Sequence, residues 1–257
     1  MVRGLEKFRD YFEDYKEQYI LIGGSACYLF VDAQGGSFRA TRDLDLVLCA
    51  EALTKDFARK FWDFVKEGGY RTKKKADGKQ QFYRFDEPKD ESFPEMLELL
   101  SRTPGALEEN APGGIIRMTV EEEFISLSAI LLNKEYYDFL HDNKKEISGV
   151  PCAGVECLIP LKIRAWLDLK EKKSNGENIR SRDVKKHRND VLRLEDLLPN
   201  IKVENVPDSV KDDLILFKKE IVEETNILEN LSIDDRTLED ITDHFDYVYG
   251  VEIAFSL

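Results

Sequence analysis

Apolar positions along this chain repeat with two different periods, and the period changes part-way. Leu5, Phe8, Phe12 and Tyr15 recur at helical spacing and predict an amphipathic helix over 3–16. Gln18-Tyr19-Ile20-Leu21-Ile22 predicts a short buried strand. Gly23-Gly24 then predicts a tight turn, with Ser25 placed to cap a helix over 25–32. In Asp43-Leu44-Asp45-Leu46-Val47-Leu48 the leucines fall on one side of a two-residue repeat, which predicts a strand over 43–49. The helix expected over 54–67 buries Phe57, Phe61, Phe64 and Val65 and stops at Gly68-Gly69. Strands are expected over 80–86 and 94–101, and Thr103-Pro104-Gly105 and Ala111-Pro112-Gly113-Gly114 bracket an excursion. Alternation predicts a further strand over 123–132, then a short helix around 134–141 and a strand pair around 146–157. From Leu158 onward the period is helical, over 158–172, 181–198, 207–227 and 235–248, with Lys172–Asn178 as the clearest flexible break. The class expected is α/β (α+β): a mixed-sheet domain over 1–157 followed by a helical domain over 158–257.

Composition narrows the classes. A chain of 257 residues with 42% apolar and 35% charged positions buries an ample core in one large or two modest domains. No uninterrupted apolar stretch approaches the roughly 18 residues of a membrane span. Met1-Val2-Arg3-Gly4-Leu5-Glu6 lacks the apolar core of a signal peptide, so a cytoplasmic protein with no membrane partner is expected. Cys27, Cys49, Cys152 and Cys157 show no C-x-x-C spacing and are expected as reduced thiols. His141, His187 and His244 stand far apart in no ligand motif, which argues against zinc. A net charge of −13 suits a general nucleic-acid binder poorly. Positive charge is confined to two islands, 71–75 and 180–188, read as a hairpin loop and a helix face, while 203–246 is strongly acidic.

The candidate chemistry lies in the alternating strand. Its period places Asp43 and Asp45 on one face, and two residues of strand span roughly 6–7 Å, so the carboxylates converge. Acids this close repel, and a cation makes the arrangement tolerable. Metal ions about 3.5–4 Å apart serve in-line phosphoryl chemistry by stabilising the attacking and leaving oxygens. Backbone N–H groups at Gly23-Gly24-Ser25, with a helix behind them, suit a phosphate chain. Taken singly, the turn reads as an ordinary turn and Asp-x-Asp as a solvated strand face. A third acid is available in 93–101. If that segment is a strand, Glu98 shares a face with Met96 and Leu100, and Glu95 points the other way beside Leu97 and Leu99. An acid among apolar neighbours is costly unless paired or metal-bound, which makes Glu98 the candidate. A register shifted by one would pass the role to Glu95.

The order strand, Gly-Gly-Ser, helix, loop, Asp-x-Asp strand resembles the nucleotidyltransferase (polymerase-beta-like) superfamily. Within it the chain is most similar to the abortive-infection (AbiEii-like) branch of type IV toxin–antitoxin systems, which carries a basic residue before the Asp-x-Asp, as Arg42 stands here. The resemblance covers roughly residues 15–100 and, more loosely, 158–198. It implies transfer of an NMP from an NTP to an acceptor hydroxyl with release of pyrophosphate. It further implies Asp43, Asp45 and Glu98 as catalytic ligands of two Mg²⁺ or Mn²⁺ ions, and Gly23, Gly24, Ser25 and Arg42 at the nucleotide. The superfamily's third acid is usually Asp, so Glu98 is a departure. In the helical half the resemblance places Lys162, Lys186 and Asp190 at the nucleotide, although the family's Arg-Asp-x-x-Asp-Leu stands here as Lys186-His187-Arg188-Asn189-Asp190-Val191.

Read from the residues alone, Lys162 lies at the edge of the stripe Leu158, Leu161, Ala165 and Leu169, placed to lay its stem on the core and present its ammonium. Lys186 and Asp190, four apart, share a flank as an ordinary surface ion pair would. For the acceptor, the toxin branch implies an RNA end such as tRNA, while the acidity favours a small molecule or a protein side chain. The different-class alternative is a non-catalytic protein of the same fold, binding a partner such as an antitoxin; the Glu at the third position supports it. Other schemes fail: neither G-x-x-x-x-G-K-[ST] nor G-x-G-x-x-G occurs, and Ser25 stands in Gly-Gly-Ser-Ala-Cys rather than G-x-S-x-G.

Overall fold

A computed structural model describes residues 2–39, 41–49, 51–71, 82–101, 133–224 and 226–251. It divides into two compact units. One takes the described residues up to Ser101 together with Asn143–Gly154, and the other takes 133–142 and the described residues from Val155 on. Where the change of period set one boundary at 157, the chain thus divides at Asp142/Asn143 and again at Gly154/Val155.

The first unit is built on a six-stranded mixed sheet in the order β3-β4-β2-β1-β6-β5. Its strands are β1 (Tyr19–Ile22), β2 (Asp43–Leu48), β3 (Phe82–Asp86), β4 (Met96–Leu100), β5 (Lys144–Ile147) and β6 (Val150–Ala153). β1 is buried along its whole length, as its unbroken apolar run requires of a central strand. It pairs antiparallel with β2 and parallel with β6, and β2 pairs parallel with β4. β5 and β6 form a two-residue hairpin in which Ser148 and Gly149 both take positive φ, 51° and 80°. That turn matches the twist of the flanking strands. The hairpin is shorter than the pair expected over 146–157, so Cys157 falls in a helix.

The single helix expected over 3–16 is broken. α1 (Leu5–Tyr11) ends at Phe12, whose φ of −111° is not helical, and a 3-10 segment, Glu13–Gln18, follows. This bend admits Phe8 and Phe12 to one aromatic cluster with Phe57, Phe61 and Phe64 of α3 (Lys55–Gly68). All five rings are fully buried. α3 starts under a Thr54 cap and stops at Gly69 in the left-handed region, as the Gly68-Gly69 pair requires. α2 (Gly23–Ala33) joins β1 to β2.

The second unit is helical: α4 (Lys134–Asp142), α5 (Val155–Ser174), α6 (Ser181–Leu194), α7 (Asp208–Ile221), α8 (Ile227–Asn230) and α9 (Leu238–Tyr249). α5 packs on α6 and α7, and Trp166 meets Phe217 edge-on at 5.3 Å. The helix expected over 207–227 ends at Ile221, and Asn226, with φ 58°, starts a separate turn. α9 opens on a reciprocal cap between Thr237 and Asp240. All four cysteines are buried and none is in a disulfide. Among the described residues no helix is long and apolar enough to cross a membrane. The expected strand over 123–132, the excursion over 103–114 and Lys73–Lys75 of the first basic island lie outside the described residues.

Candidate active site

Strand register builds the site. Ile22 lies opposite Asp45 across β1 and β2, and Asp45 stands beside Glu98 across β2 and β4. On the far side of β4, Arg84 of β3 is the register partner of Glu98. Residues aligned across neighbouring strands share a face about 4.8 Å apart, so Asp45, Glu98 and Arg84 form a row, and Asp43, two residues before Asp45, lies on the same face.

Glu98 and Arg84 are nearly buried, with side chains 11% and 12% exposed, and Glu98 Oε1 stands 3.4 Å from Arg84 Nε. Asp43 and Asp45 are half-buried. Burial, and then the charge of Asp45, pushes the Glu98 carboxyl well above the usual glutamate range. Arg84 pulls it back, while a hydrogen bond with Asp45 and the charge of Asp43 raise it further. Three acids and one arginine thus stand along one face.

The Gly-Gly turn is fitted to these acids. Gly23 has φ +68°, and a Cβ there would stand 1.8 Å from Asp45 Oδ2, so both the backbone and the carboxylate demand glycine. A Cβ on Gly24 would stand 2.9 Å from Thr41 Oγ1 and 3.3 Å from an Arg39 guanidinium nitrogen. Ser25 does not cap α2, contrary to expectation. The positive φ of Gly23 turns β1 directly into the helix, so Ile22 is the residue before it and Ser25 sits inside the first turn. There it is fully buried and donates its hydroxyl to the Asp43 carbonyl oxygen at 2.5 Å, tying the start of α2 to the Asp-x-Asp strand.

Carboxylate oxygens are hard donors that suit Mg²⁺, which takes one or two carboxylates and fills its shell with water and phosphate oxygens. Asp43 and Asp45, on one face and close to the turn, fit that demand. Among the described residues no group of three or more His, Cys, Asp or Glu is arranged as a metal centre. The three-acid set that the resemblance implies is therefore not preformed; Glu98 lies against Arg84 and Asp45.

The other expected residues fall elsewhere. Arg42 is exposed and pairs with Glu95 at 3.4 Å, and Glu95 precedes β4 rather than facing Asp45. Lys162 and Asp190 belong to the second unit and bind each other at 2.7 Å, with side chains 8% and 0% exposed. Lys162 is thus buried against α6 instead of presenting its ammonium from a helix edge, and Asp190 meets Lys162 from inside the core while Lys186 is half-buried. In the basic island, Arg188 is buried on Glu224 at 2.5 Å, Arg180 holds Asp183 at 2.6 Å, and Lys185 is exposed. The residues not foreseen are Arg84, Arg39 and Thr41. A basic residue inside the Phe82–Asp86 strand was the one available sign of Arg84, and only the β3–β4 register gives it meaning.

No protein-family model matches the chain, and no curated protein matches it. Among solved structures it is similar to the antibiotic-resistance factor ANT(2'')-Ia, with 13% identity over 86% of this chain and 92% of that chain and a TM-score of 0.38. It is also similar to an antigenic nucleotidyltransferase-like protein from Paracoccidioides brasiliensis, with 12% identity over 92% of this chain and 97% of that chain and a TM-score of 0.43. The functional reading rests on the chemistry of the site itself.

Proposed function

We propose that the chain is a metal-dependent nucleotidyltransferase that moves an NMP from an NTP to an acceptor hydroxyl and releases pyrophosphate. The observation that carries this reading is the Asp43, Asp45 and Glu98 row set against the Gly23-Gly24 turn at the start of α2. Asp43 and Asp45 would hold Mg²⁺ or Mn²⁺, which when bound supplies positive charge to the phosphate oxygens. The N–H groups of the turn would suit a phosphate chain, and Arg39 and Thr41, beside Gly24, would add a cation and a hydroxyl. Ser25 keeps Asp43 in place through its carbonyl. Glu98 accepts the proton of the attacking hydroxyl as the oxygen bonds to the α-phosphorus and the α–β phosphoanhydride bond breaks. The electron pair of that bond leaves with pyrophosphate.

The acceptor class follows from the family resemblance, which favours an RNA end and a toxin-type role. Pairing of Arg180 and Arg188 within the chain reduces the positive charge open to a polyanion, which leaves a small molecule or a protein hydroxyl in contention. Thermal-shift titration with each of the four NTPs, with and without Mg²⁺, tests the reading. A bound nucleotide stabilises by about 2.7 kcal/mol at a hundredfold excess over Kd. Label from an α-labelled NTP, followed into total RNA, protein and small-molecule fractions, then names the acceptor. Absence of a Mg²⁺-dependent shift with every NTP overturns the enzyme and leaves the partner-binding protein of a toxin–antitoxin system.

A further inference from the structure

We propose that the cleft between α5 and α7 of the helical unit binds a short peptide with free ends and an aliphatic side chain. Arg164 takes its carboxylate and Glu171 its ammonium. The binding is separate from nucleotidyl transfer and does not rest on it. Arg164, Leu167, Asp168 and Glu171 of α5 and Leu216 and Glu220 of α7 are among the residues that line a cavity of about 360 Å³. Small-molecule sites commonly have volumes of roughly 300–1,000 Å³ and set a few placed polar groups against apolar surface.

Arg164 is braced from behind. Its Nη1 donates to Asp213 Oδ1 at 3.1 Å, and the Tyr136 hydroxyl of α4 donates to the other carboxylate oxygen at 2.5 Å. The Asp213 side chain is 6% exposed and that of Arg164 40%. One nitrogen thus fixes the guanidinium to the core, and the rest of its five-donor fork is left to meet a planar carboxylate. Two acids of the wall have cations of their own: Lys172 stands 2.8 Å from Asp168, and Lys170 stands 2.6 Å from Glu220. Glu171 is exposed and makes no ion pair among the described residues. It lies two turns along the helix from Arg164, a rise of about 10.5 Å. Three extended residues span about 10–11 Å, so a tripeptide reaches both charges and a single amino acid does not. Leu167, nearly buried, and Leu216, 44% exposed, offer apolar surface to a side chain.

Isothermal titration calorimetry on the full-length protein tests this, with the tripeptide Ala-Leu-Ala, its C-terminal amide, its N-acetyl form and free leucine as probes. Wild type is expected to bind the tripeptide, and the amide at least about tenfold more weakly, because a bidentate charged contact is lost. Arg164→Lys keeps a cation beside Asp213 but not the fork. It is expected to lose affinity for the tripeptide by a similar factor and to bind the amide little worse than wild type does. Glu171→Gln is expected to bind the tripeptide severalfold more weakly and no longer to distinguish it from the N-acetyl form. If the amide, the N-acetyl form or free leucine binds wild type as tightly as the tripeptide, the proposal is overturned. Absence of tripeptide binding at millimolar concentration overturns it too. Displacement of the tripeptide by inorganic phosphate, with Glu171→Gln binding as wild type does, identifies a simple anion site and equally rejects it. Should Arg164→Lys fail to fold, Glu171→Gln and Leu216→Asn, both at exposed positions, decide: unchanged tripeptide binding in the two variants overturns the proposal.

Discussion

Two assemblies of acid and base in this chain are arranged differently. In the helical unit, Lys162 and Asp190 pair at 2.7 Å and join α5 to α6. On the sheet of the other unit, Asp43, Asp45 and Glu98 share a face with Arg84. A matched buried pair satisfies both partners and tolerates the loss of neither. A row of acids on one face costs stability that the fold could recover by replacing an aspartate, and such costs concentrate where ligands bind. The contrast teaches that burial of charge alone does not mark a site; a gathering of like charge on one face is the better sign.

The largest effect expected is on the row. Asp45→Asn keeps the shape and removes one charge, so transfer of label falls to background while the melting temperature in metal-free buffer holds or rises. A variant that transfers at the wild-type rate, or that unfolds for want of the acid, breaks the contrast from the sheet side.

Next in size is the matched pair. Lys162→Met removes the cation from a buried carboxylate, and urea denaturation is expected to show a loss of about 3–5 kcal/mol. If Lys162→Met keeps its stability yet loses the NTP-dependent thermal shift, the pair belongs with the nucleotide, as the resemblance implies, and the contrast fails from the helical side.

Glu98→Gln sharpens the assignment within the row. Loss of a general base typically costs about 10²–10⁴ in rate, and a fall of at least about a hundredfold is expected here. Glu95→Gln, on an exposed residue paired with Arg42, leaves turnover within a factor of about two. Single-turnover kinetics on both variants checks the pair, and a reversed result moves the third acid to Glu95.

The smallest effect belongs to Ser25. Ser25→Ala removes the hydroxyl that holds the Asp43 carbonyl, at a cost of about 1 kcal/mol in stability. With Asp43 less firmly placed, kcat is expected to fall more than KM changes. A change in KM alone would mean that the hydroxyl contacts nucleotide rather than strand.

Much of this was readable along the chain because it depends on neighbours in sequence. Alternation over Asp43–Leu48 puts both aspartates on one face whatever lies beside the strand, and two adjacent glycines after an apolar run mark a sharp turn into a helix. Helical periodicity located α3, α5, α6 and α9 to within a few residues, since each carries its own buried stripe. The break at Phe12 escaped because residues 3–16 keep helical spacing on both sides of it, and only the aromatic cluster with α3 rewards the bend.

What the sequence determined by itself is therefore local: which residues form elements, which share a face, and that two acids on one strand ask for a cation. Tertiary structure decided the rest. It paired Asp45 with Glu98, the acid the strand pattern had singled out, brought Arg84 to Glu98, gave Ser25 to the Asp43 carbonyl, and buried Lys162 against Asp190. Each of these depends on register or packing between segments far apart in the chain. A slip of one residue between strands exchanges the two faces without altering any local pattern, so no local pattern can encode the choice.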